Sequence, residues 1–185
     1  MLEAIFVMSI FLIILFVVLT VADRGTKFYH TASTSASLLE AARRGLDRMA
    51  TDLRGTGLSI ITDGLGQPLV EGLAYQEIHL RRNPGYTDTG IPWDEGEAII
   101  YRFEYEAQEP DNGVDDDGDG LIDEGVLVRV ENGSSAQIVQ NVKEGGLSIT
   151  LQGSQIAMKV ELEDIDENHR RLEVSAETAV YLRNP

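Results

Sequence analysis

Seven carboxylates, those of Asp111, Asp115, Asp116, Asp117, Asp119, Asp123 and Glu124, fall within fourteen consecutive residues. Side chains of this type do one kind of chemistry when crowded: they bind a hard cation, because otherwise they repel one another. Counting from Asp115, carboxylates stand at positions one, three and five (Asp115, Asp117, Asp119), and Gly120 at six permits a sharp turn. Leu121 offers a backbone carbonyl at seven, Ile122 is apolar at eight, and Asp123 or Glu124 closes the shell. Oxygen ligands with no neighbouring His, in a chain without Cys, select calcium over zinc or copper. Magnesium asks for a tighter octahedral shell. The expected ligand set is therefore Asp115, Asp117, Asp119, Leu121, Asp123 and Glu124 around calcium, in a loop spanning residues 111–125. Its affinity as an extracellular module would be modest, with a Kd of ~10⁻⁵ to 10⁻³ M. A structural role follows, since a metal clip orders a loop that no disulfide can hold. The plainer alternative is a solvated acidic turn.

The second chemically informative residue is Glu3. It abuts an apolar run over residues 4–22 that only Ser9 and Thr20 interrupt. Nineteen helical residues reach about 28 Å, close to the thickness of the bilayer hydrocarbon. A carboxylate at the tip of such a segment needs a cationic partner when it enters apolar surroundings. A secretory signal peptide would place basic residues before the run and a small-residue cleavage site after it. Here no Lys or Arg precedes the run, and Thr20-Val21-Ala22-Asp23 is a poor cleavage site. A plain single-span anchor accounts for the apolar run but not for Glu3.

Catalytic constellations are missing from the sequence. His30, His79 and His169 lie in three unrelated segments, expected on a helix, in a strand and in a turn. There is no nucleophile elbow around a Ser, and no phosphate-cradling glycine loop opens a helix. Trp93 reads as a loop anchor. The expectation is a protein that is not an enzyme.

Composition narrows the partners. With 31 acidic and 15 basic residues the net charge is -16, which disfavours nucleic acid and anionic lipid headgroups and favours cations. About 160 residues follow the apolar run, enough for one domain with its own core.

These groups must be positioned by two kinds of element. Beyond Gly25, apolar residues recur at Leu39, Ala42, Leu46, Met49 and Leu53, in steps of three and four that make one helical stripe. Glu40 with Arg44, and Arg48 with Asp52, are i,i+4 pairs on the other faces. Gly55 and Gly57 end the pattern, which predicts one helix of roughly fifty residues. From Leu58 onward the period becomes two, and strands are expected at 78–80, 98–105, 126–130, 147–151, 156–162 and 171–182. Turns are expected at 83–85, Asn132-Gly133, Gly145-Gly146, Gly153-Ser154 and 166–168. The fold class is α+β, a long N-terminal helix on antiparallel sheet. Its organisation reads as a transmembrane half-helix at 1–25, an amphipathic continuation at 26–57, and a β-rich domain at 58–185 that holds the acidic loop.

An acid before a long apolar helix resembles the N-terminal segment of type IV pilins and type II secretion pseudopilins. The stretch 41–57, with Arg43-Arg44-Gly45-Leu46-Asp47-Arg48-Met49 and Asp52-Leu53-Arg54-Gly55-Thr56-Gly57, is similar to the helix end of the W-type minor pilins and J-type minor pseudopilins. The closing Val180-Tyr181-Leu182-Arg183-Asn184 is similar to theirs too, while the strands between match only in general layout. The resemblance implies a pilin-like fold and a minor subunit of a pilus or pseudopilus, in a priming or tip complex with other pilins. It implies that Glu3 neutralises the free N-terminal amine of a neighbouring subunit. It further implies processing by a prepilin peptidase and a single-pass location in the bacterial inner membrane, with the domain periplasmic or extracellular. Family members carry a basic leader ending in Gly and a few mature residues before the acid, whereas Met1 and Leu2 precede Glu3 in this chain. The acidic loop departs from an EF-hand, having Val126 at position twelve in place of a bidentate Glu. It more resembles the short DxDxDG calcium loops of secreted bacterial proteins. A membrane-tethered, calcium-dependent adhesin or binding module is the alternative from a different class.

Overall fold

The computed structural model describes residues 2–87, 90–92, 96–107, 109–167 and 169–182, without the side chains of Leu2, Ala4 and Ile5. Trp93, and the Arg183-Asn184 part of the family resemblance, lie outside the described residues.

A single helix, α1, runs from Leu2 to Arg54 over 53 residues. Its two halves meet different surroundings, as their patterns require. Between Phe6 and Val21 the large apolar side chains stand exposed, uncovered by any other element among the described residues. The helix is long and apolar enough to cross a membrane. From Leu38 onward the stripe Leu38, Ala42, Leu46, Met49, Ala50 and Leu53 is buried. Helix termination follows Arg54, where the Gly55 and Thr56 amides donate to the carbonyls of Asp52 and Leu53.

The buried stripe lies on an antiparallel, curled sheet of eight strands: β1 (Thr62–Asp63), β2 (Ala74–Tyr75), β3 (Glu77–Arg81), β4 (Ala98–Tyr105), β5 (Gly125–Glu131), β6 (Ser134–Gln152), β7 (Gln155–Ile165) and β8 (Arg171–Tyr181). The spatial order is β1-β3-β4-β5-β6-β7-β8, with β2 beside the far end of β6. Side chains alternate inward along β7, where Ile156, Met158, Val160 and Leu162 are buried and Lys159 faces water. The helix packs chiefly on β8 and β7, and then on β6. At Gly45 the helix approaches β6 closely. A Cβ built there would stand 2.2 Å from Val139 Cγ2, so only a glycine lets the helix lie this near β6.

One expected turn becomes something else. Gly145-Gly146 does not separate two strands; it lies inside β6, whose second half is the expected strand 147–151. Between Val142 and Leu147 the register slips, because five steps on β6 (142 to 147) oppose two on β7 (162 to 160). Gly145 has φ +68, and a Cβ on Gly146 would meet the carbonyls of Glu161 and Lys143 at 2.7 Å. A glycine pair serves a bulge as readily as a turn, which the local sequence does not distinguish.

Polar groups fix the helix at two points. Near its C-terminal end, Asp52 is buried and accepts the Tyr101 hydroxyl at 2.6 Å and Arg129 Nε at 2.8 Å. Arg129 in turn bridges to Glu131 at 2.6 Å, and Arg82 joins Glu131 at 3.0 Å and Glu97 at 2.8 Å. Burial alone would raise the Asp52 carboxyl, but the hydrogen bonds from Tyr101 and Arg129 outweigh it and hold the group below its usual range. The expected i,i+4 partner, Arg48, forms a longer ion pair with Asp52 at 3.9 Å, and the cross-sheet hydrogen bonds from Tyr101 and Arg129 are the closer contacts. Glu40 and Arg44 do pair, at 3.0 Å on the exposed face. Farther toward the apolar half, the turn between β7 and β8 grips the helix. Asp166 Oδ2 accepts the Thr31 hydroxyl at 2.7 Å, and Glu167 stands 3.4 Å from His30 Nδ1.

Candidate metal centre

The acidic loop joins β4 to β5, strands paired from Ile99–Glu131 to Tyr105–Gly125. A connection of this length needs its own order, and acidic side chains bonded to backbone amides supply much of it. Asp115 accepts the amides of Gly118 at 2.6 Å and Gly120 at 2.9 Å. Asp117 takes the Asp119 amide at 3.0 Å, and Asp119 takes that of Leu121 at 2.8 Å. These are the Asx turns that Asp favours, and Gly118 (φ +81) and Gly120 (φ +95) supply the left-handed residues the path requires. The Leu121 side chain is buried and anchors the loop to the domain.

Three carboxylates here are buried, Glu109, Asp123 and Glu124, and two of them, Glu109 and Glu124, differ from the third in keeping an oxygen unsatisfied. Glu109 has no exposed surface; its Oε1 accepts the amides of both Asp116 and Asp117 at 2.7 Å. Glu124 is 2% exposed. Each keeps one buried oxygen, Glu109 Oε2 and Glu124 Oε2, with no hydrogen-bond partner. A buried carboxylate oxygen without a donor is costly, and a coordinated cation removes that cost.

Those two residues complete two overlapping ligand triads. Glu109, Asp115 and Asp117 form one, and Asp117, Asp119 and Glu124 the other, with their oxygens within 4.8 Å of each other in each group. Asp117 belongs to both. Unit negative charges at that spacing repel by roughly 3–4 kcal/mol per pair at an effective dielectric of about 20. The electrostatics register this crowding. Burial, and then the charges of Asp119, Glu109 and Asp117, push the Glu124 carboxyl up to about 7 against a backbone hydrogen bond that favours its ionised form. Glu106 is raised for the same reasons, burial first and then Asp117, Asp119 and Glu109. Such a set of hard oxygens could hold a metal ion.

Of the residues expected from sequence, Asp115, Asp117, Asp119 and Glu124 come together. Asp123 does not join them. Its Oδ1 and Oδ2 accept the amides of Asn112 at 3.0 Å and Gly113 at 2.8 Å, so it shapes the loop entry. Asp116 is likewise turned aside, onto Asn112 Nδ2 at 2.5 Å. Glu109 was absent from the expected set, because ligand counting began at Asp115. Its position one residue before Pro110, just upstream of the acidic run, is the one local hint.

Glu3 sits apart, exposed in the first turn of α1 at the opposite end of the helix from the sheet. There the partial positive charge of the helix N-terminus favours an acid. His30, His79 and His169 remain separate, on α1, on β3 and in the β7–β8 turn. No protein-family model, curated protein or solved structure matches the chain.

Proposed function

We propose that this chain is a minor pilin or pseudopilin, a structural subunit of a type IV pilus or type II secretion pseudopilus, carrying a calcium-ordered loop. The observation that carries the reading is the division of α1. One half presents exposed apolar side chains from Phe6 to Val21 to its surroundings, while the other half is locked into the sheet by Gly45, Leu46, Met49 and the Asp52 network. A helix built this way anchors in lipid first, then exchanges lipid for the helices of neighbouring subunits without disturbing the domain. In that bundle Glu3 would face a neighbour's N-terminal amine, because an unpaired carboxylate in apolar surroundings is too costly to persist. The domain would stand on the periplasmic or extracellular side of the inner membrane, where millimolar calcium suits a site of modest affinity. A priming or tip complex with other pilins is the assembly implied by the similarity of residues 41–57 to minor subunits.

The test is mass spectrometry of the mature protein from its native host. The reading expects a terminus generated by prepilin peptidase, with a methylated first residue. An unprocessed terminus, or one cut beyond the apolar run, would replace it with the tethered adhesin or a secreted domain.

A further inference from the structure

We infer that a divalent cation held between Glu109 and Glu124 sets the grip of the β7–β8 hairpin on helix α1. This deepens the cation reading above and rests on it. The site has a feature that an ordinary acidic turn lacks: two fully or nearly buried carboxylates, Glu109 and Glu124, each with one oxygen that has no hydrogen-bond partner, and each grouped with Asp117, the first also with Asp115 and the second with Asp119. The cation's ligands would thus come from both ends of the loop, and drawing them together fixes where Gly120 lies.

Gly120 is the point of transmission. A Cβ built on it would fall 2.5 Å from Ile165 Cδ1, so the loop backbone rests directly on the last residue of β7. The next residue is Asp166, buried at 4% exposure, whose carboxylate holds both the Arg170 amide at 2.9 Å and the Thr31 hydroxyl at 2.7 Å. The Arg170 guanidinium also reaches Thr31 Oγ1, at 3.3 Å, and Glu167 lies beside His30. Thr31 precedes Leu38, the first buried apolar residue of the helix, by about two turns. This clasp is therefore a polar attachment between the domain and the stretch of helix nearest the apolar half. A loop spread by charge repulsion would withdraw Gly120 from Ile165, and the turn that carries Asp166 would lose its support. With the cation bound, the domain and the upper helix become one rigid body; without it, residues 27–36 open locally.

Hydrogen–deuterium exchange on the full chain in detergent micelles, with calcium chloride or with EDTA, reads this directly. Calcium is expected to slow exchange at 166–171 and at 27–36 by roughly tenfold, a local opening effect. Calorimetric titration with calcium, run in parallel, reports whether the site binds at all. Ile165→Ala removes the contact without touching a ligand, so calcium should still bind while the response at 27–36 disappears. Thr31→Val, on an accessible part of the helix, should keep the response in the hairpin and abolish it in the helix. Calcium binding with unchanged exchange at 27–36 overturns the coupling and leaves the metal site standing. An unchanged helix response in Ile165→Ala overturns the route through Gly120. Absence of any calcium binding overturns the cation reading and this inference together.

Discussion

Replacing Gly45 by Ala tests how the helix is seated. In an isolated helix the change is favourable by about 0.8–1 kcal/mol, because glycine is the poorest ordinary helix former. Here the new methyl would stand 2.2 Å from Val139 Cγ2 and 3.7 Å from Leu127 Cδ2. The first distance is well inside the ~3.5–4.0 Å at which carbon atoms attract, so either Val139 or the helix must shift by more than an ångström. Val139 is buried and β-branched, with few rotamers open to it. Overpacking of this kind costs about 1–3 kcal/mol. The net expectation is a loss of about 1 kcal/mol, lowering the Tm by roughly 2–4 °C in a chain of this size. Gly25→Ala is the control, since nothing lies within 4 Å of that position; it should be neutral or stabilising. Urea unfolding of both variants in the same detergent isolates the contact term. Adding Val139→Ala to Gly45→Ala should give a double variant less destabilised than the sum of the singles. If Gly45→Ala stabilises the protein as much as Gly25→Ala, the close seating of α1 on β6 is wrong.

Chelation should lower the melting temperature of the full chain; at a calcium concentration of 100 Kd the bound ion contributes ~2.7 kcal/mol, or roughly 5–10 °C. Asp117→Ala, which removes the ligand common to both triads, should abolish that dependence, and a flat response to EDTA in wild type would reduce the loop to an acidic turn. Asp52→Ala leaves the Tyr101 hydroxyl and the Arg129 guanidinium buried without their shared acceptor, and should cost about 3–5 kcal/mol in denaturant unfolding. The same pairing predicts an acid limb. The Asp52 carboxyl is depressed in the folded state, so its contribution is complete above about pH 4 and is lost as pH falls through the folded value. Asp52→Asn should therefore flatten part of the stability loss below pH 4, measured by unfolding at constant ionic strength.

What was legible in the sequence follows from periodicity. The step of three and four through Ala42, Leu46, Met49 and Leu53 identifies the buried helix face because nothing else produces that spacing, and the alternation in 156–162 does the same for β7. Gly145-Gly146 has the sequence of a turn and the structure of a bulge, since a glycine pair serves both and the choice depends on whether β7 continues alongside. The loop's central acids were legible from their spacing. Glu109 has only its place just upstream of the acidic run as a local hint, because its part depends on burial and on accepting the amides of Asp116 and Asp117. Spacing leaves Asp123 or Glu124 to close the shell; of the two, Glu124 stands in a group with Asp117 and Asp119, and Asp123 accepts the amides of Asn112 and Gly113. The Asp52–Arg129 pair is separated by 77 residues, beyond the reach of helix-spacing rules, which paired Asp52 with Arg48.

The most direct test of the account concerns the one acid at the apolar end of α1. Glu3→Ala and Glu3→Gln should be made in the host, and membrane insertion and recovery in sheared filaments or pseudopilus complexes measured together. Normal insertion and an unchanged soluble domain are expected, with recovery reduced at least about tenfold, since loss of one charge pairing in apolar surroundings exceeds ~1.4 kcal/mol. Recovery equal to wild type for both variants would contradict it.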